Sequence, residues 1–374
     1  MTIGIDLVGT NLGSGTKTYN INLCNELSLL KLSSNIKIFI CKSYLDQTTK
    51  KENEKIEYLI KPDFLSITFI RFFWMQFILP IELKLLGVNK LYSPMNFIPI
   101  ISKFLKIKTI LCLHSNLPWC YFNLMPGNII RNFITKKLME ISIYSSDLLI
   151  VNSNFAKKEI TKTLNLYRKN IYVVYLGISR IFFLKNKKKI KDFNYKQKYI
   201  LSVISCVRYH NIINLLEAFN LLNKNHNLKL VLVLQVLDKS YFSEIKKFIK
   251  DNSLKKKVII FSNINIDQLP KLYESAKLYV FTSYCEVFGL TSLEAMSQRT
   301  PVVISNKSAL PEINGKAALY FNPDNIEEIN EKFQKVLYNR KLQLKLIQNG
   351  LNVVNKFNNN KNIKKTIKII NSLK

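Results

Sequence analysis

Apolar runs too short to be helices recur along this chain, with helix-spaced segments between them. That alternation, run through twice, constrains the fold more than any other feature. Ile3–Val8, Ile36–Cys41, Lys90–Ser93, Thr109–His114, Asp147–Asn152 and Ile171–Tyr175 read as strands of a first half. Tyr19–Leu30 spaces its apolar residues as a helix does. A basic stretch without periodicity, Arg180–Lys198, reads as a linker. The pattern then restarts, with strands at Tyr199–Ser205, Lys229–Leu234, Val258–Phe261, Leu278–Phe281 and Pro301–Ser305. Helical segments fall between them, among them Ile212–Asn223, Ile266–Ser275 and Thr291–Ser297. Strands alternating with helices predict parallel sheets covered on both faces. The expected fold class is therefore α/β, with two doubly wound domains, residues 1–183 and 184–374, facing across a cleft. Ile363, Ile367, Ile370 and Leu373 give the last stretch the spacing of an amphipathic helix, expected to pack back toward the first domain.

Charge narrows the partners. Lys and Arg number 56 against 25 Asp and Glu, a formal net charge of +31. Such a surplus favours anionic partners, whether nucleic acid, lipid head groups or phosphorylated small molecules. The plainer alternative places the lysines on solvated faces, as in the run Lys187–Lys189. No nucleic-acid-binding motif is present, so no nucleic-acid partner is expected. The six cysteines form no C-x-x-C pair and none lies near a histidine at zinc spacing, so no metal site is expected. They read as reduced, mostly buried thiols of a cytoplasmic protein. The N-terminal MTIGIDLVGT reads as a first strand and not as a signal peptide. The most apolar stretch, Phe64–Ile81, contains Arg71 and Gln76, ends near Pro80 and is short for a bilayer span. A buried helix is the expectation there; an aromatic face touching the inner membrane surface is the alternative.

Chemistry concentrates between Thr282 and Glu312, TSYCEVFGLTSLEAMSQRTPVVISNKSALPE. A strand ends at Phe281, a turn passes through Glu286 and Gly289, and a helix starts near Leu290. Thr291 or Ser292 is expected to cap that helix. Its N-terminal amides and positive dipole end suit a diphosphate, and Gly289 permits close backbone approach. Glu286 and Glu294 flank that anion site. Carboxylates there would repel phosphate but would accept hydrogen bonds from sugar hydroxyls, which a nucleotide sugar offers on both sides of its diphosphate.

This segment resembles the E-x7-E signature of family 4 retaining glycosyltransferases, which have the GT-B fold of two Rossmann-like domains. The Gly13 and Gly15 loop resembles the family's N-terminal glycine-rich loop. LCLHSN, VNSNFAKKEI, VVYLGISRIFF and LPEINGKAALYFNPDN resemble further family stretches. The resemblance implies a nucleotide diphosphate sugar as co-substrate, no cofactor, no catalytic metal, and a glycan or lipid-linked acceptor. It implies that Glu294 holds the ribose and Glu286 the donor sugar. Backbone amides of Phe288, Gly289 and Leu290 would hold sugar and phosphate, with Gly15 also on the donor side. His114 would lie near the anomeric carbon and serve catalysis with Glu286. The chain departs from the pattern at Arg299 and Val287, where the family usually has Gly. It departs again at His210, which stands where the family has a basic residue, commonly Lys; Arg208 is expected to reach the phosphate in its place. These departures motivate a rival reading, a degenerate GT-B protein that binds a membrane or partner without catalysis.

Overall fold

The computed structural model describes residues 2–9, 14–48, 52–167, 169–223, 228–262 and 264–373. The chain divides into two compact units. The first comprises Met1–Trp119, Phe133–Gly177 and Asn359–Lys374; the second comprises Cys120–Asn132 and Ile178–Asn358.

The first unit is built on seven strands: β1 (Thr2–Asp6), β2 (Asn35–Cys41), β3 (Ile56–Lys61), β4 (Lys90–Ser93), β5 (Lys108–Leu113), β6 (Leu148–Val151) and β7 (Ile171–Val173). They lie in the order β3-β2-β1-β4-β5-β6-β7, and every described pairing is parallel. The second unit has six: β8 (Tyr199–Cys206), β9 (Lys229–Val236), β10 (Val258–Ser262), β11 (Leu278–Phe281), β12 (Val302–Ser305) and β13 (Ala318–Phe321). Their order is β10-β9-β8-β11-β12-β13, again all parallel. Strand order therefore reverses once in each sheet, between β1 and β4 and between β8 and β11. In open parallel sheets such a reversal leaves a crevice at the carboxyl ends of the two strands, since their crossover helices depart to opposite sides.

Burial explains which strands the sequence pattern detects. β6 (LLIV) and β12 (VVIS) are buried at every position, as strands covered on both faces must be. The edge strand β3 (IEYLIK) has no fully buried residue, so its apolar content is diluted and the pattern misses it. β13 (ALYF), at one edge of the second sheet, is only half-buried at its two middle positions and also escapes the pattern.

Two stretches differ from expectation. Arg180–Lys198 is no free linker. Phe182 is buried, Lys187 bonds Glu274 at 2.6 Å, and Phe193 packs edge-on against Tyr199 and Phe261. The segment is part of the second unit's surface. Phe64–Ile81 is not a buried helix either. A helical run from Thr68 to Leu85, with a π turn at Trp74–Ile78, buries one face only. Its inward side includes Leu83, which touches the place a side chain on Gly4 would fill. It also includes Arg71, whose guanidinium pairs with fully buried Asp6 and whose Nε donates to the Val8 carbonyl at 2.6 Å.

The terminal helix Asn359–Ser372 belongs to the first unit and buries Ile363, Ile369 and Ile370. Lys90 Nζ donates to the carbonyls of Ile370 and Asn371 at 3.0 Å each, meeting the orphan acceptors and the negative end of that helix. Asn359 passes so close to Gly177 that a β-carbon there would fall 2.2 Å from its Cα, which accounts for glycine at that position.

Arg299 shows what a departure from glycine does. The helix Leu290–Ser297 ends with Arg299 N–H on the Met296 carbonyl at 3.0 Å and Thr300 N–H on the Ala295 carbonyl at 3.1 Å. That is a Schellman end, whose C′ residue takes left-handed backbone. Arg299 does so, at φ 61°. The fold thus survives the replacement at the cost of local strain. Arg299→Gly should stabilise the protein by about 1 kcal/mol, read as a higher midpoint of urea unfolding with unchanged slope.

Candidate functional site at the strand reversal of the second unit

The reversal between β8 and β11 is held by a short register, Leu278 opposite Ile200 and Tyr279 opposite Leu201. Beyond it, both strands run into loops that bond to each other. Thr282 Oγ1 donates to the His210 carbonyl at 2.7 Å. Tyr284 N–H donates to the Tyr209 carbonyl at 2.8 Å. The short turn Arg208–His210 closes on Asn211, which adopts left-handed backbone at φ 55°.

These bonds bring His210 and Glu286 together. His210 Nε2 lies 3.0 Å from Glu286 Oε1, and its Nδ1 lies 2.6 Å from the Ser205 carbonyl. Nδ1 must donate to that carbonyl, so one proton is required between Nε2 and the carboxylate. Ser283 Oγ adds a donor to the same carboxylate oxygen at 3.2 Å. The residue standing in for an expected lysine is thus tied to one of the two signature glutamates. Arg208 is not brought to this pair. Its guanidinium pairs bidentately with Glu244, reaches Asp238 at 4.0 Å and lies over the Tyr241 ring.

The other glutamate has a different environment. Glu294 sits one turn into the helix Leu290–Ser297, is 5% exposed, and accepts a hydrogen bond from Tyr273 Oη at 3.1 Å. Burial lifts its carboxyl from the ordinary 4.5 to about 8, against the smaller opposing pull of the tyrosine hydroxyl. Tyr273 is a partner that sequence reasoning did not identify. It lies on another helix, and no local pattern signals the pairing.

Between the glutamates, Gly289 heads the helix at φ 85°. A β-carbon there would also meet Leu310 Cδ2 at 2.4 Å, so only glycine fits. The expectation that Thr291 or Ser292 caps the helix does not hold. Ser292 Oγ donates to the Gly289 carbonyl at 2.8 Å, and the Thr291 hydroxyl accepts from Tyr279 Oη at 2.7 Å. Its N-cap, Gly289, has no side chain to cap it, and neither Thr291 nor Ser292 does so. A helix start without its own cap offers backbone amides to an anion. Phe288 anchors the turn from beneath, buried and edge-on to Phe357. Leu290 begins the helix.

The first unit holds His114 and Gly15. His114 follows β5, with its backbone N–H on Asn96 Oδ1 at 2.6 Å. Asn152, at the end of β6, brings its amide nitrogen 2.9 Å from His114 Nδ1. Nδ1 therefore accepts and Nε2 carries the hydrogen. Burial pushes the ring down to about 4, so it is neutral near pH 7. Nε2 is buried without a hydrogen-bond partner among the described residues, which leaves one donor unspent. The stretch VNSNF that contains Asn152 was visible in the sequence, but its bond to His114 was not. Gly15 lies in the first turn of the helix Ser14–Leu27, where a side chain would meet nothing within 4 Å. Gly13 lies outside the described residues. None of the six cysteines is in a disulfide. Among the described residues no cluster of His, Cys, Asp and Glu could hold a metal ion.

Residues 184–353 match the family described as glycosyl transferases group 1. The O-antigen chain mannosyltransferase RfbU of Salmonella typhimurium is 27% identical over 212 residues, covering 57% of this chain and 56% of that one. An uncharacterized glycosyltransferase of Methanocaldococcus jannaschii is 31% identical over 199 residues, half of each chain. The chain spans about half the length of the curated relatives it matches. Among solved structures, a sucrose-phosphate synthase from Thermosynechococcus elongatus superposes with a TM-score of 0.79 at 16% identity, over 100% of this chain and 99% of that one. A glycosyltransferase from Rickettsia africae gives 0.73 at 17% identity, over 99% and 97%. At these identities the likeness is one of fold.

The buried carboxyl supplies a test. A group whose pKa rises on folding ionises first in the unfolded chain, so its burial costs stability as pH climbs from 4.5 toward about 8. Glu294→Gln should remove that cost. Thermal unfolding followed across pH 5 to 8 should show the variant gaining on the parent as pH rises; parallel curves would mean that Glu294 is already ionised in the folded protein.

Proposed function

We infer that this chain, a GT-B glycosyltransferase-family protein whose residues 184–353 belong to glycosyl transferases group 1, transfers a hexose from a nucleotide diphosphate sugar to an acceptor hydroxyl. The observation that carries this reading is the uncapped helix start at Gly289–Leu290 with a glutamate on either side. The amides take the diphosphate, Glu294 takes ribose hydroxyls, and Glu286 takes hydroxyls of the donor sugar. Two relatives are named as O-antigen chain mannosyltransferases, which makes mannose the first donor sugar to try and surface polysaccharide the favoured setting. The acceptor is assigned to the first unit.

The chemistry follows from which groups are committed. The bond from the anomeric carbon to the diphosphate oxygen breaks, and the acceptor oxygen bonds to that carbon on the same face. Glu286 is tied to His210 and Ser283, and His114 Nδ1 is occupied by Asn152. Neither is placed as an uncommitted general base. The leaving diphosphate is then the group that takes the acceptor's proton, and configuration is retained. His114 contributes through its unspent Nε2–H as a hydrogen-bond donor. Charge on the leaving group is met by the helix-start amides, with no metal in the scheme; both ring nitrogens of His210 are already engaged, by Ser205 and Glu286. The rival reading of a degenerate protein gains no support from the site, since His210 engages Glu286 and Arg299 costs the fold little.

The test is a thermal-shift and transfer panel with UDP-, GDP- and dTDP-hexoses. One nucleotide should raise the unfolding temperature, because a ligand that binds only the folded state must stabilise it. Glu294→Ala should lower kcat/KM by about 10- to 100-fold. Transfer at the parental rate in that variant would refute the assignment. His114→Asn, which keeps a donor, should retain more activity than His114→Ala.

A further inference from the structure

The helical run Thr68–Leu85 of the first unit carries apolar residues on both of its sides. Trp74, Met75, Leu79 and Leu83 face inward beside two polar residues: Arg71 is buried on Asp6, and buried Gln76 donates to the Ile98 carbonyl at 3.0 Å and accepts from Ile100 N–H at 2.9 Å. A second set of large apolar residues faces outward. Phe69 is 80% exposed, Phe73 54%, Phe77 49%, Ile81 57% and Leu85 82%. Scattered apolar residues on a surface are ordinary; a continuous stripe on one element is not.

The backbone keeps this stripe aligned. A repeat of four residues overruns the α-helical turn by about 40° at each step, so five such positions would wind away from one face. The π turn Trp74–Ile78 absorbs roughly one extra residue and returns the later positions to the side of the earlier ones. The same turn holds a neighbour in place, because Gln76 ties down the stretch that leads into Ile100–Lys103. That stretch presents Phe104, 82% exposed, between exposed Lys103 and Lys106. The sequence that carries the stripe is poor in acidic residues. From Phe64 to Lys108 the sequence contains a single carboxylate, Glu82, and Lys61 Nζ lies 2.9 Å from it. Lys84, Lys103 and Lys106 are exposed.

We propose that this face docks the protein on an anionic lipid bilayer. The aromatic stripe would enter the boundary between head groups and acyl chains, while the lysines stay at head-group level. That division of labour is what an interfacial amphipathic helix uses. No described helix is long and apolar enough to cross a membrane, so the contact is with one leaflet. A neutral or acidic protein surface would satisfy the stripe or the lysines, but a bilayer rich in anionic head groups satisfies both over the whole helix. The proposal is independent of the sugar-transfer reading, and its test needs no substrate.

The full chain should sediment with phosphatidylcholine vesicles containing phosphatidylglycerol, and much less with phosphatidylcholine alone. The triple variant Phe69→Ser, Phe73→Ser, Phe77→Ser should bind the anionic vesicles at least about tenfold more weakly, with its unfolding temperature kept. Should the triple variant fail to fold, Phe104→Ser and the pair Lys103→Ala, Lys106→Ala carry the same test from outside the helix; each should weaken vesicle binding. Absence of binding by the parent would overturn the proposal. So would parental binding by folded variants. A parent that ignores vesicles but forms a concentration-dependent dimer, lost in the triple variant, would assign the stripe to a second copy of the chain and also overturn it.

Discussion

The pairing of β8 with β11 is the constraint on which the rest of the second unit's site depends. Two parallel strands are hydrogen-bonded side by side, yet they are separated in sequence by two strands and their helices. Their exit loops run out side by side from the paired strands. Once there, Thr282 and Tyr284 bond the two loops together through the backbone of Tyr209 and His210. His210 then reaches Glu286, and the helix carrying Glu294 starts where the strand-to-helix turn delivers it. The chemistry is local, but the positioning is a property of sheet order.

The two signature glutamates have unlike surroundings. Glu286 is at a loop, with a histidine and a serine on one oxygen. Glu294 is inside a helix, nearly enclosed, with one tyrosine hydroxyl. The first is held by polar partners and the second is pushed toward neutrality by burial. A neutral or hydrogen-bonded carboxyl beside an anion site costs less repulsion than two bare carboxylates would. That removes the apparent conflict of placing acids next to a diphosphate.

What the sequence revealed follows from the range of each interaction. The central strands were legible because burial on both faces forces uninterrupted apolar runs. The edge strands β3 and β13 were not, since their part-exposed residues weaken the pattern, although β7 and β10, also at edges, were. Gly289 and Gly177 could be read as close-approach positions, though the atoms approaching them, Leu310 and Asn359, could not. Glu286, Glu294 and His114 stand out by pattern as candidate site residues. Tyr273 on Glu294 and Asn152 on His114 were not, because they are tertiary pairs. One expectation failed, and another residue takes an unforeseen partner, for one reason. Thr291 and Ser292 satisfy other groups, and Arg208 satisfies Glu244; a polar side chain's choice among nearby partners is settled by packing. The stretch Phe64–Ile81 misled most. An apolar composition predicts burial, but the same residues placed around a π turn expose their aromatic side and bury Arg71 and Gln76.

The central claim is that the helix start at Gly289 receives the diphosphate of a nucleotide. The most direct measurement is amide NMR of the protein labelled on glycine and leucine, titrated with UDP, GDP and dTDP. One nucleotide should shift Gly289 and Leu290 N–H resonances in saturable fashion, and the corresponding nucleoside without phosphate should leave them in place. If none of the three moves these amides, or if binding shifts only amides elsewhere in the chain, the helix start is not the diphosphate site.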